Sequence, residues 1–378
     1  GIHAQLCGDA HLANFGGFAS PERELVFDLN DFDETLPGPW EWPRTRLAAS
    51  VAVAARDRGW GRRERRTIAR AAVAGYREAM RDLAERPTLE VWNARVGERE
   101  LARQIRDRSG EAELARFERG TAKARRKDST RAFAKLTHRV DGEPRIDSDP
   151  PLIVPLRDML PEDEATDFET RMRGLIGAYR ATLPTDRRGL LDRFRFVDIA
   201  HKVVGVGSVG TRAWILLMLG RDDDDPLFLQ CKEAQPSVLA PFAGASRFSN
   251  QGRRVVEGQR LMQAASDIFL GWIRATGIDG KVRDFYVRQL WDWKTSADVD
   301  AMKADRLATY AGLCGATLAR AHARCGDAIA IAAYLGSGDA CDRAIADYAE
   351  AYAEQNERDH QALLDAIDAG RVQATAGV

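Results

Sequence analysis

The chain has 378 residues, 44% hydrophobic and 30% charged, with Lys plus Arg at 56 against Asp plus Glu at 57. That length and apolar content allow a substantial core and two or three domain-sized units. A formal net charge of -1 excludes the composition of a disordered chain and removes any global pull toward nucleic acid or an anionic membrane.

In chain order, residues 1–42 hold short strand-like pieces, at 3–7 and 24–29, and end in the turn Pro37-Gly38-Pro39. Pro43 opens a helical stretch, a position where its missing N–H costs nothing. Apolar residues then recur at helical spacing through Leu47, Val51 and Ala54. After a break at Gly59 and Gly61 the spacing resumes through Ile68, Ala72, Tyr76 and Met80. Residues 91–132 read as charged helices, a hairpin is expected in 133–154 around Asp141-Gly142, and a helical pair fills 161–193. The pattern changes near Phe194: 196–206, 213–219 and 227–232 are strand candidates, 253–268 is helical, and 269–274 and 285–291 are further strands. Ala-rich helical patterns return from Ala301, and no fixed-period repeat stands out. This order predicts an α+β arrangement.

Five cysteines (Cys7, Cys231, Cys314, Cys325, Cys341) are scattered without C-x-x-C spacing. That pattern argues against a disulfide framework or zinc site and fits a reducing, cytoplasmic compartment. The apolar run at 213–219 is far too short to span a bilayer, and no signal peptide is visible. Ile2 onward reads as the middle of a domain, so a preceding segment is expected.

Three motifs carry chemistry. The first is Cys7-Gly8-Asp9-Ala10-His11-Leu12-Ala13-Asn14, followed by Leu25-Val26-Phe27-Asp28-Leu29-Asn30-Asp31-Phe32-Asp33. Phosphoryl transfer needs an acid beside the attacking hydroxyl and oxygen ligands for magnesium. An Asp and an Asn on one irregular loop can divide those tasks, and a carboxylate at the end of the next strand can share the metal. The spacing resembles the catalytic loop of aminoglycoside phosphotransferases and other kinase-like enzymes. That resemblance implies Asp9 as catalytic acid, Asn14 as a metal ligand and Asp31 as the metal-binding aspartate, with Asp28 and Asp33 as substitutes.

The second motif is Val203-Val204-Gly205-Val206-Gly207-Ser208-Val209-Gly210. A dinucleotide fingerprint would open a helix directly after its glycines. Here a strand-like run, Trp214 to Leu219, follows instead, which is the strand–loop–strand arrangement of kinases. Gly205, Gly207, Ser208 and Gly210 are therefore expected at nucleotide phosphates. The third motif is the strand candidate ending at Lys232, whose amine resembles the kinase lysine that holds phosphates. A later helix offers Glu257 as its partner. The segment after Leu290, through Trp291 and Trp293, would be the hinge against which adenine packs.

Kinases place the glycine loop before the catalytic loop, whereas here the catalytic loop comes first. A circular permutation could build the same cleft, because chemistry needs proximity in space. Cys325-Gly326-Asp327-Ala328 repeats Cys7-Gly8-Asp9-Ala10, but Ala332 stands where an Asn would be needed. Together, the run from Val203 to Gly210, Asp28-Leu29-Asn30-Asp31-Phe32-Asp33-Glu34 and the stretch Gln259 to Asp267 resemble an uncharacterised bacterial domain family grouped with kinase-like proteins.

What these resemblances imply is a two-lobed, circularly permuted protein-kinase-like fold with a small antiparallel sheet lobe and a larger helical lobe. Residues 1–90 would carry the catalytic loop and metal site, and 91–193 a mainly helical insertion. Residues 194–296 would form the nucleotide-binding lobe, and 297–378 would complete the helical lobe. The function expected is ATP- and Mg2+-dependent phosphate transfer to a hydroxyl of a small-molecule acceptor, with neither membrane nor nucleic acid as partner. AMP transfer or a pseudokinase on the same fold are alternatives. A metal-dependent phosphoesterase is another, from Asp9-x-His11 and Gly338-Asp339-Ala340-Cys341-Asp342-Arg343, although no Gly-Asn-His motif completes it. The basic run containing Arg119, Lys123, Arg125, Arg126, Lys127 and Arg131 reads as a solvated helix face.

Overall fold

The segment downstream of Phe194 that alternates apolar and polar residues becomes the largest sheet of the molecule. In the computed structural model, residues 1–203, 210–277 and 279–374 are described, with 108–109 and 162–170 by backbone alone. Among them are thirteen α-helices and several antiparallel sheets, a mixed α+β architecture. The chain divides into two units. One comprises Gly1–Phe15, Gly38–Ala94 and Ala297–Val378, the other Gly16–Pro37 and Arg95–Ser296.

In the second unit, strands Ile153–Pro155, Arg195–Lys202, Ala213–Leu219, Pro226–Ala234, Val282–Gln289 and Gly271–Thr276 lie side by side in that order, all antiparallel. Period-two alternation sorts their side chains onto two faces. Leu216, Leu229, Ile273, Phe285 and Val287 pack on one face with Met172 and Tyr179 of helix Glu162–Arg180. Ile215, Leu217 and Phe228 pack on the other with Ala132 and Leu136 of helix Ser129–Leu136. Each fully buried Leu or Phe contributes roughly 1.5–3 kcal/mol by leaving water. The same alternation puts polar groups among the apolar ones on the second face. Cross-strand register sets Lys232 opposite Tyr286 and Gln230 opposite Arg288.

The hairpin pairs Thr137–Val140 with Glu143–Ile146, and both turn residues, Asp141 (φ 50°) and Gly142 (φ 85°), take the positive φ that a type I′ turn demands. Helix Gln251–Met262 is shorter than the predicted 253–268. It begins where Asn250 accepts from the Arg253 N–H, and it stops where Gln263 turns extended and donates to the Leu29 carbonyl at 2.6 Å. A four-stranded sheet orders Thr295–Ser296, Phe15–Ala19, Leu25–Leu29 and Val96–Gly97.

The first unit is mainly helical: Glu41–Asp57, Arg62–Ala84, Ala304–Cys325, Ala328–Leu335 and Ala340–Asp368 are its main elements. Pro43 sits in the first turn of its helix, as its lost donor predicts. Helices Arg62–Ala84 and Ala304–Cys325 cross so closely that a Cβ at Gly75 would strike the Gly312 carbonyl. One at Gly315 would strike that of Ala72. An alanine-lined seam (Ala48, Ala52, Ala69, Ala346, Ala349, Ala353) packs three more helix faces. Across it, Arg77 meets the buried Asp342 at 2.9 Å.

Candidate functional site

In the first unit, the loop carrying Asp9 is held by two hydrogen bonds with neighbouring helices. The Leu12 N–H donates to Ser50 Oγ at 3.0 Å, and the Tyr310 hydroxyl donates to the Phe15 carbonyl at 3.1 Å. A single 3-10 turn, Leu12–Asn14, follows His11, whose Nδ1 accepts from the Ala13 N–H at 3.3 Å. That bond puts the proton of a neutral His11 on Nε2, which faces Asp9 Oδ2 at 3.7 Å. Arg46 Nε holds Asp9 Oδ1 at 2.8 Å, and the carboxylate remains half exposed. Asn14 donates its Nδ2 to the Asp9 backbone carbonyl at 2.6 Å. The donor end of the amide is thereby committed.

The rival motif is structural. Asp327 caps helix Ala328–Leu335, its Oδ1 accepting from the Ala330 N–H at 2.9 Å. Asp339, from the segment resembling a phosphoesterase motif, pairs with Arg70 at 2.7 Å and with Arg343.

In the second unit, Lys232 meets a carboxylate, but not the one expected. Its Nζ lies 2.6 Å from Asp33 Oδ2, while Glu257 lies 3.9 Å from Arg253 on its own helix and makes no pair with Lys232. Tyr286, opposite Lys232 in the register, donates its hydroxyl to Asp33 Oδ1 at 2.6 Å. Burial alone would lower the Lys232 pKa, but Tyr286, Asp33 and Asp31 hold it above the ordinary lysine range. Burial likewise works against ionised Asp33, yet the charge and hydrogen bond of Lys232, the Tyr286 hydroxyl and Arg288 keep its carboxyl below the usual range. Tyr286 is pushed up, by burial first and then by Asp33.

The segment supplying Asp33 is clamped by a residue that sequence reasoning did not single out. Arg254, buried on helix Gln251–Met262, donates to the carbonyls of Thr35 (2.7 Å), Asp33 (2.8 Å) and Gln235 (2.8 Å). Nothing in the local sequence separates it from its exposed neighbour Arg253. Tyr286 was equally illegible, because only the strand register brings it opposite Lys232.

Asp28, Asp31 and Asp33 differ in what they can offer a cation. Asp28 is buried within its strand and accepts from the Leu29 N–H at 2.9 Å. Asp31 is half buried and accepts from the Asp33 N–H at 3.1 Å through Oδ1. Asp33 is committed to Lys232. Asp28 and Asp31 are hard oxygen donors of the kind magnesium takes. Among the described residues no group of three or more His, Cys, Asp or Glu side chains is placed to hold a metal. Magnesium commonly uses one or two carboxylates together with substrate phosphates, so this donor set fits it better than zinc.

Of the glycine motif, Gly205, Gly207 and Ser208 lie outside the described residues. Gly210 has φ 83°, a conformation open to glycine. Past Leu290, Trp293 holds φ 59° and donates its N–H to the Lys127 carbonyl at 2.9 Å. The Arg23 guanidinium covers its ring at 4.2 Å. The basic residues of 119–131 are exposed, but they do not form one helix face. Helix Glu111–Arg125 ends within the run, Arg126 and Lys127 lie beyond it, and Arg131 belongs to helix Ser129–Leu136; Arg125 pairs with Glu98.

A family model described as an uncharacterized protein conserved in bacteria (DUF2252) matches residues 1–366. The chain belongs to that family. No curated protein and no solved structure matches it. Among the described residues no helix is long and apolar enough to cross a membrane.

Proposed function

We propose that this member of the family is an Mg2+- and ATP-dependent phosphotransferase with a circularly permuted, two-lobed kinase-like fold, acting on a hydroxyl of a small-molecule acceptor. The observation that carries the reading is the Asp9–Asn14 loop. Its amide is tied to the Asp9 backbone carbonyl while the Asp9 carboxylate stays accessible and is aimed by Arg46 and His11. In this reading Asp9 orients the acceptor hydroxyl and takes its proton as the new oxygen–phosphorus bond forms. The bond from the γ-phosphorus to the bridging oxygen breaks, and ADP leaves. Magnesium would supply neutralisation of phosphate charge; Asn14 is the ligand proposed in the first unit, and Asp31, with Asp28 as substitute, the one proposed in the second. Lys232 neutralises the phosphates, and its three donors exceed the one that Asp33 occupies. Gly205, Gly207, Ser208 and Gly210 give backbone access to phosphate. Glu257 does not retain the partner role first assigned to it, which passes to Asp33.

The test is phosphate transfer across a panel of hydroxyl acceptors, read by the mass added to the product. A gain of phosphate supports the reading, and a gain of AMP would replace it with nucleotidyl transfer. Asp9→Asn should spare nucleotide binding and lower turnover about a hundredfold or more, the ordinary contribution of a general base. Unchanged turnover in that variant would remove Asp9 from the chemistry.

A further inference from the structure

A cleft in the sheet-bearing unit is lined by two cations, Arg288 and Lys294, that make no ion pair of their own among the described residues. Asn30, Gln263, Asp267, Arg288, Asp292 and Lys294 line it. Its two acids are already committed. Asp267 accepts from the Phe269 N–H at 2.7 Å and the Gln289 N–H at 2.6 Å, and Asp292 is paired with Arg23 at 2.6 Å. Its two cations are not. Arg288 donates to neutral oxygens only, Gln230 Oε1 and the Asn30 carbonyl, both at 3.2 Å. Lys294 has neither hydrogen-bond nor ion-pair partner among the described residues. Both side chains are half-buried and have carboxylates nearby but, among the described residues, none within ion-pair distance, so a ligand oxygen could take that place.

We infer that this cleft binds a phosphate group of a polyphosphate chain, gripped by the Arg288 guanidinium and the Lys294 ammonium. A planar guanidinium matches two phosphate oxygens at once, and an ammonium adds a compact charge beside it. A phosphate would give both side chains the direct ion-pair contact that they lack. The electrostatics agree: burial first, and Arg288 second, push the Lys294 amine down to about 7, so an arriving anion would relieve it. Asp31 acts on Lys232, Arg288 and Lys294 alike, so the three cations share one electrostatic neighbourhood. The source of the phosphate as a nucleotide rests on the function proposed above; the anion site itself does not.

The experiment is calorimetric titration of the full chain with inorganic tripolyphosphate and, separately, with Mg-ATP. Wild type is compared with Lys294→Met, Lys294→Arg, Arg288→Gln and Lys232→Ala, with far-UV circular dichroism confirming the fold of each. Tripolyphosphate binding that weakens at least tenfold in Lys294→Met and survives in Lys294→Arg is the expected result. Should Arg288→Gln not fold, the lysine pair of variants decides alone. Equal affinity in Lys294→Met, or no tripolyphosphate binding to wild type, overturns the site. Mg-ATP binding lost in Lys232→Ala but untouched by Lys294→Met overturns the nucleotide as the source of the phosphate and leaves the phosphotransferase reading standing. Tripolyphosphate bound in the Lys294-dependent way without any Mg-ATP binding keeps the site and overturns that reading.

Discussion

Asp33 accepts from Lys232 and from Tyr286, and its own carbonyl accepts from Arg254. Removing its charge strands Lys232, whose side chain is only 10% exposed. Breaking a buried pair from one side costs roughly 3–5 kcal/mol. Asp33→Asn should fall at the lower end, because the Asp33 side chain is 33% exposed. Lys232→Met leaves a carboxylate nearer water and should cost less. Urea denaturation of both variants checks the order, and the reverse order would mean the pair is not what holds the segment. The Asp33 carboxyl titrates lower folded than unfolded. Its contribution is therefore present above the unfolded carboxylate range and fades as pH falls through the folded value. Asp33→Asn should correspondingly flatten the acid limb of the stability curve.

At the scale of elements, two features invite measurement. The first is the crossing of helices Arg62–Ala84 and Ala304–Cys325, where Gly315 stands against the Ala72 carbonyl. Gly315→Ala gains helix propensity but forces the backbones apart, and overpacking of this kind costs about 1–3 kcal/mol. Thermal unfolding should show a loss; a gain would mean the crossing can open without penalty. The second is the segment following strand Val282–Gln289, where Asp292 is raised to about 6, chiefly by burial, and Lys294 is lowered to about 7, chiefly by burial. Between the unfolded carboxylate range and about 6, the folded state binds the Asp292 proton that the unfolded chain has lost, so stability falls as pH rises. Above about 7 the unfolded chain keeps the Lys294 proton that the folded state has lost, so stability rises with pH toward the ordinary lysine range. Lys294 faces Arg288, Lys232, Asp31 and Asp267, and Asp292 faces Arg23, Asp267 and Asp128. Denaturation midpoints across pH should lose the rising limb in Lys294→Met and the falling limb in Asp292→Asn.

At the scale of the molecule, both units are assembled from separated stretches of chain. The sheet-bearing unit takes residues 16–37 from far upstream, and that stretch supplies the partners of Lys232, Arg254 and Gln263. A fragment of residues 95–296 alone should therefore lose cooperative unfolding and regain it when 16–37 is fused back; cooperative melting of the bare fragment would show that the ion pairs are dispensable. Mg-ATP should raise the apparent stability of the full chain by about 2.7 kcal/mol at a hundredfold excess over Kd. That shift should vanish in Lys232→Ala. No shift with any nucleotide would count against the proposed phosphotransferase.

Local pattern was enough to place the strand Ala213–Leu219, the Asp141-Gly142 hairpin and the proline-opened helix, because period and turn chemistry are properties of neighbouring residues. It was also enough to single out Asp9 and Asn14 as a pair, since their contact spans five positions on one loop. The partner of Lys232 was beyond its reach: Glu257 sat at a plausible distance along the chain, whereas Asp33 is 199 residues away. Tyr286 and Arg254 were hidden for the same reason, as was the meeting of Arg288 and Lys294 in one cleft. Which charges face each other, and which make no direct ion pair, depends on strand register and packing between distant segments. Those are decided only when the whole sheet closes.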